Sequence, residues 1–177
     1  QLQFGGDESF TGLSNKLKLN FNHPVKELVW VVQDTAILNS AALNAPVNWS
    51  TLAYSATGTD AGGVNPIDTA LLQLNGHDRF SVRQADYFRK VQNYEHHCRV
   101  PRTPTATGTI NTEFNQFIYT YSFALSPEEH QPSGTCNFSR IDNAVLQLNY
   151  GVDSGTTAPA VTGGTSGAGM NLNIYAV

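Results

Sequence analysis

Two histidines and a cysteine follow one another at His96, His97 and Cys98. Imidazole and thiolate groups are good zinc ligands, so such a run could bind a metal ion. If residues 93–100 form part of a strand, neighbouring side chains point to opposite faces, and only His96 and Cys98 could share a site. The remaining ligands would have to come from elsewhere in the chain, from His23, His77 or His130. No second spaced pair supports them, so we predict hydrogen-bonded polar side chains here, with no metal and no cofactor.

Glu128 and Glu129 are adjacent carboxylates, the residue type that glycoside hydrolysis uses as acid and base. Both follow Pro127, in what the sequence predicts to be the first turn of a short helix. Negative charge is favourable at that position, because it complements the exposed N–H groups and the helix dipole. The turn therefore explains the pair better than catalysis does.

Ser139, His130 and Asp142 supply the residue types of a nucleophilic triad. No Gly-x-Ser-x-Gly elbow surrounds Ser139, so the sequence does not predict an exposed nucleophile. Arg140 and Asp142 would face the same side of an extended segment, where they could pair with each other or anchor turn carbonyls. We expect these side chains to fix local structure, and we predict no catalytic residue.

These polar residues lie between two segments with the alternating pattern of strands. Large apolar side chains occur at every second position of residues 117–125, the period of a strand with one buried face. Residues 144–150 alternate again. We call residues 126–143, which join the two predicted strands, the connector.

The connector begins with the residues of a capping box. Ser126 offers an N-cap hydroxyl, Pro127 suits the first helical position, and Glu129 completes the Ser-x-x-Glu pattern. The predicted single helical turn is short, since a proline and a Ser-Gly turn signal follow it. We expect a structural role for seven residues of the connector: Ser126, Pro127, Glu129, Pro132, Gly134, Arg140 and Asp142.

Three further strands are predicted from periodicity. Residues 16–21 alternate with their leucines and phenylalanine inward, residues 69–75 return to strand character before the turn dipeptide Asn75-Gly76, and residues 171–177 alternate at the end of the chain. Residues 25–33 are apolar on both faces, which is typical of a central strand covered on two sides.

The remaining segments are predicted to be loops, apart from one helix. A Ser-x-x-Gln capping box at Ser81 and Gln84 starts the helix, whose apolar positions are Val82, Ala85, Phe88 and either Val91 or Gln92. The glycine-containing residues 1–14 are expected to form an arm or loop. Long loops are expected over residues 34–63, with one short strand around 51–54, and over 101–108 and 151–169.

Composition indicates one folded all-β domain. Of 177 residues, 14% are charged and 40% hydrophobic, and the 15 Gly and 8 Pro imply many turns. The formal net charge of −4, with scattered Lys and Arg, argues against direct binding to a phosphate backbone. The longest apolar run, residues 28–32, is far shorter than the roughly 20 residues that span a bilayer.

The sequence allows two covalent modifications, a disulfide bond and glycosylation. Cys98 and Cys136 could form at most one internal disulfide bond, and the sequence leaves open whether they do. Two glycosylation sequons begin at Asn48 and Asn137. Asn48 lies in a predicted loop and is the better candidate, because Asn137 lies in a stretch that we expect to be partly buried.

Three runs of the chain have a distinctive order of residues. They read HPVKELVWVV at 23–32, LQLNG at 72–76, and YSFALSPEEHQPSGTCNFSRIDN at 121–143, so they fall in both halves of the sequence. Together they resemble the signature of the major capsid proteins of nucleocytoplasmic large DNA viruses.

The resemblance implies a fold and an assembly. Capsid proteins of that family carry two jelly rolls in tandem, form trimers with pseudo-hexagonal outlines and tile an icosahedral shell. This chain is similar to the second, C-terminal jelly roll. We therefore expect residues 1–177 to form a single jelly-roll β-sandwich with one short helix and long end loops. The family usually continues past the last strand, which implies a fragment of a longer protein or a variant whose missing strand is supplied by something else.

The favoured hypothesis is a structural capsid subunit without catalysis. It implies a homotrimer that contacts neighbouring capsomers and minor capsid proteins, in a virion assembled in the host cell cytoplasm. The alternative is a carbohydrate-binding jelly roll, in which exposed aromatic rings stack on sugars. Of the two tryptophans, Trp30 lies in an apolar run, so Trp49 would have to carry that function.

Overall fold

The structure is a computed structural model that describes residues 3–9, 14–34, 67–100, 118–150 and 170–177. Its strands are β1 (Gln3–Ser9), β2 (Ser14–Lys18), β3 (Pro24–Val25), β4 (Glu27–Asp34), β5 (Ile67–Leu74), β6 (His77–Asp78), β7 (Arg83–Gln84), β8 (Ile118–Ser122), β9 (Cys136–Asn137), β10 (Ala144–Tyr150) and β11 (Met170–Ala176). A π-helix over Tyr87–Val91 continues into the α-helix α1 (Gln92–His96), and we call the two together the helical segment. A 3₁₀ turn spans Phe138–Arg140.

Two antiparallel sheets form the body of the fold. The first has the order β1-β11-β4-β8, and the second has the order β2-β10-β5-β6, with β7 also pairing with β5. The prediction that residues 25–33 form a central strand is confirmed, because β4 lies between β11 and β8. β3 and β9 form a separate two-stranded ladder. This ladder joins the residues just before β4 to the connector.

The core lies between the two sheets and follows from the alternation along the strands. Leu28, Trp30 and Val32 of β4 point inward, and their cross-strand neighbours on β11 are Ala176, Ile174 and Leu172. The second sheet contributes its own inward residues to the same hydrophobic cluster: Leu17, Ala70, Leu72, Ala144, Leu146 and Leu148. Leu19 and Phe21 are also buried, so the inward face predicted for residues 16–21 is confirmed, although β2 itself ends at Lys18.

The Asn75-Gly76 turn joins β5 to β6 as predicted. Asn75 has a φ of 51° and Gly76 a φ of 81°. Two successive residues with positive φ give a turn whose twist matches that of the flanking strands, and Asn and Gly are the residues that adopt it at least cost.

Residues 3–9 form a strand, although the sequence predicted an arm or loop. β1 pairs with β11 from Gln3↔Ala176 to Ser9↔Asn171, with a register shift between Phe4 and Asp7. The intervening Gly5 and Gly6 lowered the strand propensity of this stretch, but the ladder to β11 supplies the backbone hydrogen bonds. Tertiary pairing therefore overrides local propensity here.

The helix begins later than its predicted capping box. Arg83 and Gln84 pair with Ala70 and Thr69 of β5, so they are extended and cannot form a first helical turn. Asp86 is the N-cap of the π-helix and makes no side-chain capping bond. On the buried face lie Ala85, Phe88 and Gln92, whereas Val82 is 55% exposed.

Two further expectations about strands are wrong. Residues 93–100 do not form a strand, because α1 continues to His96. β8 ends at Ser122, and the predicted inward position Leu125 is 74% exposed. The chain turns away at this point because the backbone N–H groups of Phe123 and Ala124 both donate to Lys26 O, at 2.8 and 3.2 Å.

The helical segment covers the open edge of β8. Gln92 Oε1 accepts a hydrogen bond from the Ser122 N–H at 3.0 Å, and Thr120 Oγ1 donates to Asn93 Oδ1 at 3.0 Å. Gln92 and Asn93 are both buried, so these bonds satisfy polar groups that water cannot reach. The contact shields a strand edge that would otherwise be free to pair with another chain.

Several predicted loops lie outside the described residues. They are residues 34–63 beyond Asp34, with the short strand proposed at 51–54, and residues 101–108 and 151–169. No helix within the described ranges is long and apolar enough to cross a membrane.

Candidate functional site

The connector is anchored by hydrogen bonds within itself and to the sheets. Its first residues form a β-turn, closed by the Glu129 N–H donating to Ser126 O at 3.4 Å, and not the predicted helical turn. Ser133 takes the place that Glu129 was expected to fill: its Oγ accepts from the Ser126 N–H at 2.9 Å and donates to Ser126 O at 3.3 Å. The capping-box residues thus build a closed loop instead of a helix.

Lys26 holds this loop from the sheet side. Its Nζ donates to Pro127 O at 2.8 Å and to Glu129 O at 3.0 Å. Pro127 is buried, whereas Pro132 is exposed. Because carbonyl oxygens of a turn have no strand partner, an ammonium group that donates to both of them from one position fixes the path of the backbone.

Gly134 lies directly against the end of β8. A Cβ at this position would stand 2.7 Å from Phe123 O and 3.2 Å from Ala124 Cα. Real Cβ atoms do not approach backbone atoms this closely, so only glycine fits. The sequence pointed to Gly134 as a turn residue, and the structure gives close backbone approach as the reason.

The second half of the connector is held by the β3–β9 ladder and by one buried ring. Phe138 is 2% exposed and packs edge-on against Phe21, with ring centroids 5.7 Å apart. Asn137 Oδ1 accepts from the Ser139 N–H at 3.0 Å, which starts the 3₁₀ turn. The Ser139 hydroxyl donates to Asn22 O.

The end of the connector is fixed by Asn75, which sequence reasoning placed only in the hairpin turn. Its Oδ1 accepts from the N–H groups of Asp142 and Asn143, at 3.0 and 3.2 Å. Its own N–H donates to Asn143 O at 2.7 Å. One side chain therefore joins the turn between β5 and β6 to the residue before β10.

Pairing of Arg140 with Asp142, one of the two roles left open for them, is not found: no ion pair joins them within the described residues. Residues Phe138–Arg140 form a 3₁₀ turn, so the extended geometry that would align the two side chains is absent. Both residues are exposed. Asp142 contributes through its backbone N–H instead.

His97 joins the connector to β4. Its Nε2 lies 2.9 Å from Glu27 Oε2, and its Nδ1 lies 3.1 Å from Glu128 Oε1. The Glu27 carboxylate raises the pKa of His97 above its usual range, burial works against this, and Glu128 adds to the increase. Glu27 is 8% exposed, so it is a nearly buried carboxylate that faces the His97 ring.

Cys98 and Glu128 also touch. The Cys98 N–H donates to Glu128 Oε2 at 3.3 Å. Hydrogen bonding to Glu128, together with its negative charge, raises the pKa of the Cys98 thiol. A hydrogen bond from Cys98, which has the larger effect, and one from His97 lower the pKa of the Glu128 carboxyl group. Both cysteines are free thiols.

The opposite-face argument for His96, His97 and Cys98 fails because these residues end a helix. His97 and Cys98 both reach Glu128, while His96 Nδ1 lies 3.0 Å from Leu125 O. One signal for the His97 contact was present in the sequence. Glu27 is an acidic residue in a largely apolar stretch, and Lys26 is the other charged residue between Val25 and Gln33. Its partner could not be read from sequence, because 70 residues separate them.

The arrangement does not assemble the catalytic or metal sites that the residue types allowed. Within the described ranges, no group of three or more His, Cys, Asp or Glu side chains is placed to hold a metal ion. The hydroxyl of Ser139 is engaged with a backbone carbonyl and contacts neither His130 nor Asp142 among the described residues. Asn48 and Trp49 lie outside the described residues, while Trp30 is 1% exposed and cannot stack on a sugar.

The whole chain, residues 1–177, matches the family described as "Large eukaryotic DNA virus major capsid protein". It is 47% identical over 168 residues to the major capsid protein of Pyramimonas orientalis virus, covering 89% of this chain and 36% of the relative. It is 42% identical over 202 residues to the major capsid protein of Paramecium bursaria Chlorella virus 1, covering 99% and 43%.

Solved structures show the same fold. The quasi-atomic PBCV-1 virus capsid superposes with a TM-score of 0.64 at 32% identity, covering 99% of this chain and 46% of the other. The Faustovirus major capsid protein gives 0.66 at 13% identity, which supports the fold alone. The predicted all-β jelly roll is thereby confirmed. The chain spans less than half the length of these relatives, and it belongs to the major capsid proteins of large eukaryotic DNA viruses.

Proposed function

We propose that this chain is the C-terminal jelly roll of a capsid protein and acts as a structural subunit of an icosahedral virus shell, in trimeric capsomers with pseudo-hexagonal outlines. The observation that supports this most is the match of all 177 residues to the capsid family. Coverage of 36% and 43% of two curated relatives is what one of two tandem jelly rolls would give.

A shell subunit must keep its shape when neighbours press on it, and the described contacts suit that task. Trp30, Tyr119 and Phe88 are each at most 1% exposed and pack their rings together in the core. The connector is anchored to the sheets through Lys26, Asn75 and the β3–β9 ladder. Ser139, the candidate nucleophile, donates its hydroxyl to Asn22 O, which supports a role without catalysis.

The proposed partners are two further copies of the full-length protein, neighbouring capsomers and minor capsid proteins. Their contacts would come from loops and sheet edges, and closed symmetry would repeat them across the shell. Direct contact with the genome is not proposed, since the formal net charge is −4. The proposed location is the virion capsid, assembled in the host cell cytoplasm.

The oligomeric state of the full-length protein tests this proposal. Size-exclusion chromatography with light scattering should give three times the monomer mass at all concentrations above the dissociation constant. Negative-stain images of the same fraction should show particles with a pseudo-hexagonal outline. A strictly monomeric species at high concentration would contradict the trimer, and images with two-fold or open symmetry would contradict the capsomer.

A further inference from the structure

His97 lies where three parts of the fold meet: the end of the helical segment, the start of β4 and the β-turn of the connector. Its two ring nitrogens face two different carboxylates, Glu27 at 2.9 Å and Glu128 at 3.1 Å. The His97 and Glu27 side chains are only 13% and 11% exposed. The ring thus bridges a strand and a loop that are distant in sequence.

Only the charged ring can satisfy both neighbours. Imidazolium has an N–H on each nitrogen, whereas neutral imidazole has one N–H and one lone pair. A neutral ring between two carboxylates must therefore turn its lone pair toward one of them. The 2.9 Å contact between His97 Nε2 and Glu27 Oε2 is an ion-pair contact: neither atom has a hydrogen-bond partner within the described residues, so the attraction between them depends on the charge of the ring. No other cation of the described residues pairs with Glu27, so loss of the proton would leave this buried carboxylate without a counter-charge among them, which is strongly unfavourable.

We propose that His97 is a proton-controlled latch between β4 and the connector, closed while the ring is charged and released when it is neutral. The proposal concerns contacts inside one chain and does not depend on the proposed capsomer. Other charged or titratable groups around the latch are Lys26, which binds the turn carbonyls, and Cys98, Arg99 and Glu129. Of these groups Cys98 contacts Glu128 directly, and the ion pair of His97 Nε2 within the described residues is the one with Glu27.

The two pKa shifts define the range of pH in which the latch is closed. The pKa of His97 is raised by Glu27, so its stabilising contribution is complete below about 6.5, the value for an unfolded chain, and is lost as pH rises through the higher folded value. The pKa of Glu128 is lowered, so its contribution is present above about 4.3 and is lost as pH falls through the lower folded value.

Release should be local. Lys26 continues to bind Pro127 O and Glu129 O when His97 is neutral, since these bonds do not involve the ring. Asn75 holds the other end of the connector. The contacts released are those of the His97 ring with Glu27 and Glu128, whereas the hydrogen bond from the Cys98 N–H to Glu128 Oε2 does not involve the ring. The opening therefore weakens the contact between the helical segment and the β-turn.

The experiment compares urea unfolding of the chain and of His97→Gln across pH. The unfolding constant of His97→Gln divided by that of the native chain should be largest near about pH 6. As the pH rises, this ratio should fall by up to about tenfold for each pKa unit by which folding raises the pKa of His97. His130→Gln, which replaces an exposed histidine of the same connector, is the matched control, and the change of the ratio with pH should be larger for His97→Gln than for this control.

Two further measurements keep the proposal testable if His97→Gln fails to fold. NMR titration of the native chain should show the His97 ring with a pKa above that of an unfolded histidine. Glu128→Gln removes only the exposed arm and should shift that titration to lower pH. A His97 ring that titrates at or below the unfolded value, or a ratio for His97→Gln that is independent of pH, would overturn the latch.

Discussion

Gly134 is a residue whose identity is imposed by its neighbours. The Cβ of an alanine there would stand 2.7 Å from Phe123 O, a backbone atom that cannot move aside without displacing the end of β8. We expect Gly134→Ala to lower the free energy of unfolding by about 1–3 kcal/mol, the usual cost of forcing an extra methyl group into a filled space.

Urea denaturation of Gly134→Ala and of Thr135→Ala would check this expectation. Thr135 is the exposed neighbour of the glycine, so its substitution should change stability by no more than about 0.5 kcal/mol. Equal stabilities of the two variants would show that the close approach to Phe123 O is relieved at no cost.

Residue-level prediction from sequence succeeded where the cause is local. Asn75-Gly76 was identified as a turn because positive φ at two successive positions restricts the residue types. The hydrogen bonds from Asp142 and Asn143 to the same asparagine were not predicted, because 67 and 68 residues separate the partners. Contacts of this kind depend on the folded arrangement and leave no pattern in a single sequence.

At the scale of elements, Phe88 connects the helical segment to the rings of Trp30 and Phe80. It is fully buried and lies 5.3 Å from the rings of Trp30 and Phe80. We expect Phe88→Ala to cost about 3–5 kcal/mol of unfolding free energy, because it removes a large ring and leaves a cavity.

Chemical denaturation followed by near-ultraviolet circular dichroism would measure the cost of Phe88→Ala. Val91 lies on the same helical segment but is 40% exposed, so Val91→Ala serves as the control and should stay within about 0.5 kcal/mol of the native chain. If both variants lost the same stability, the helical segment would not be packed through Phe88.

The alternating strands were predictable because a two-residue period is written in the sequence. β10 and β11 follow it, with Leu146, Leu148 and Leu172 buried at the expected positions. The start of the helix was not predictable, since Arg83 and Gln84 satisfy a capping pattern and yet pair with β5. A strand edge that needs partners outweighed the local helical preference.

For the whole molecule, β1 is the edge strand of the first sheet and covers one side of β11. β1 joins β11 through five paired positions, from Gln3↔Ala176 to Ser9↔Asn171. Deletion of residues 1–9 would leave the backbone of β11 unpaired along that side. We expect the shortened chain to be less stable and to self-associate, because an open edge is a template for another strand.

Light scattering against concentration, together with the urea midpoint, would test the deletion. A chain that lacks only Gln1 and Leu2 keeps all of β1 and is the matched control. Unchanged midpoint and unchanged scattering after removal of residues 1–9 would contradict a stabilising role for this edge.

The register of β1 also determines how the fold would respond to pulling. Gln3 stands opposite Ala176, so the two ends of the described chain leave the sheet at the same corner. Tension applied through both ends would act perpendicular to the strands. It would break the hydrogen bonds between β1 and β11 one pair after another, starting at this corner. We expect these hydrogen bonds to break first, before any force acts on the packed aromatic residues beneath β4.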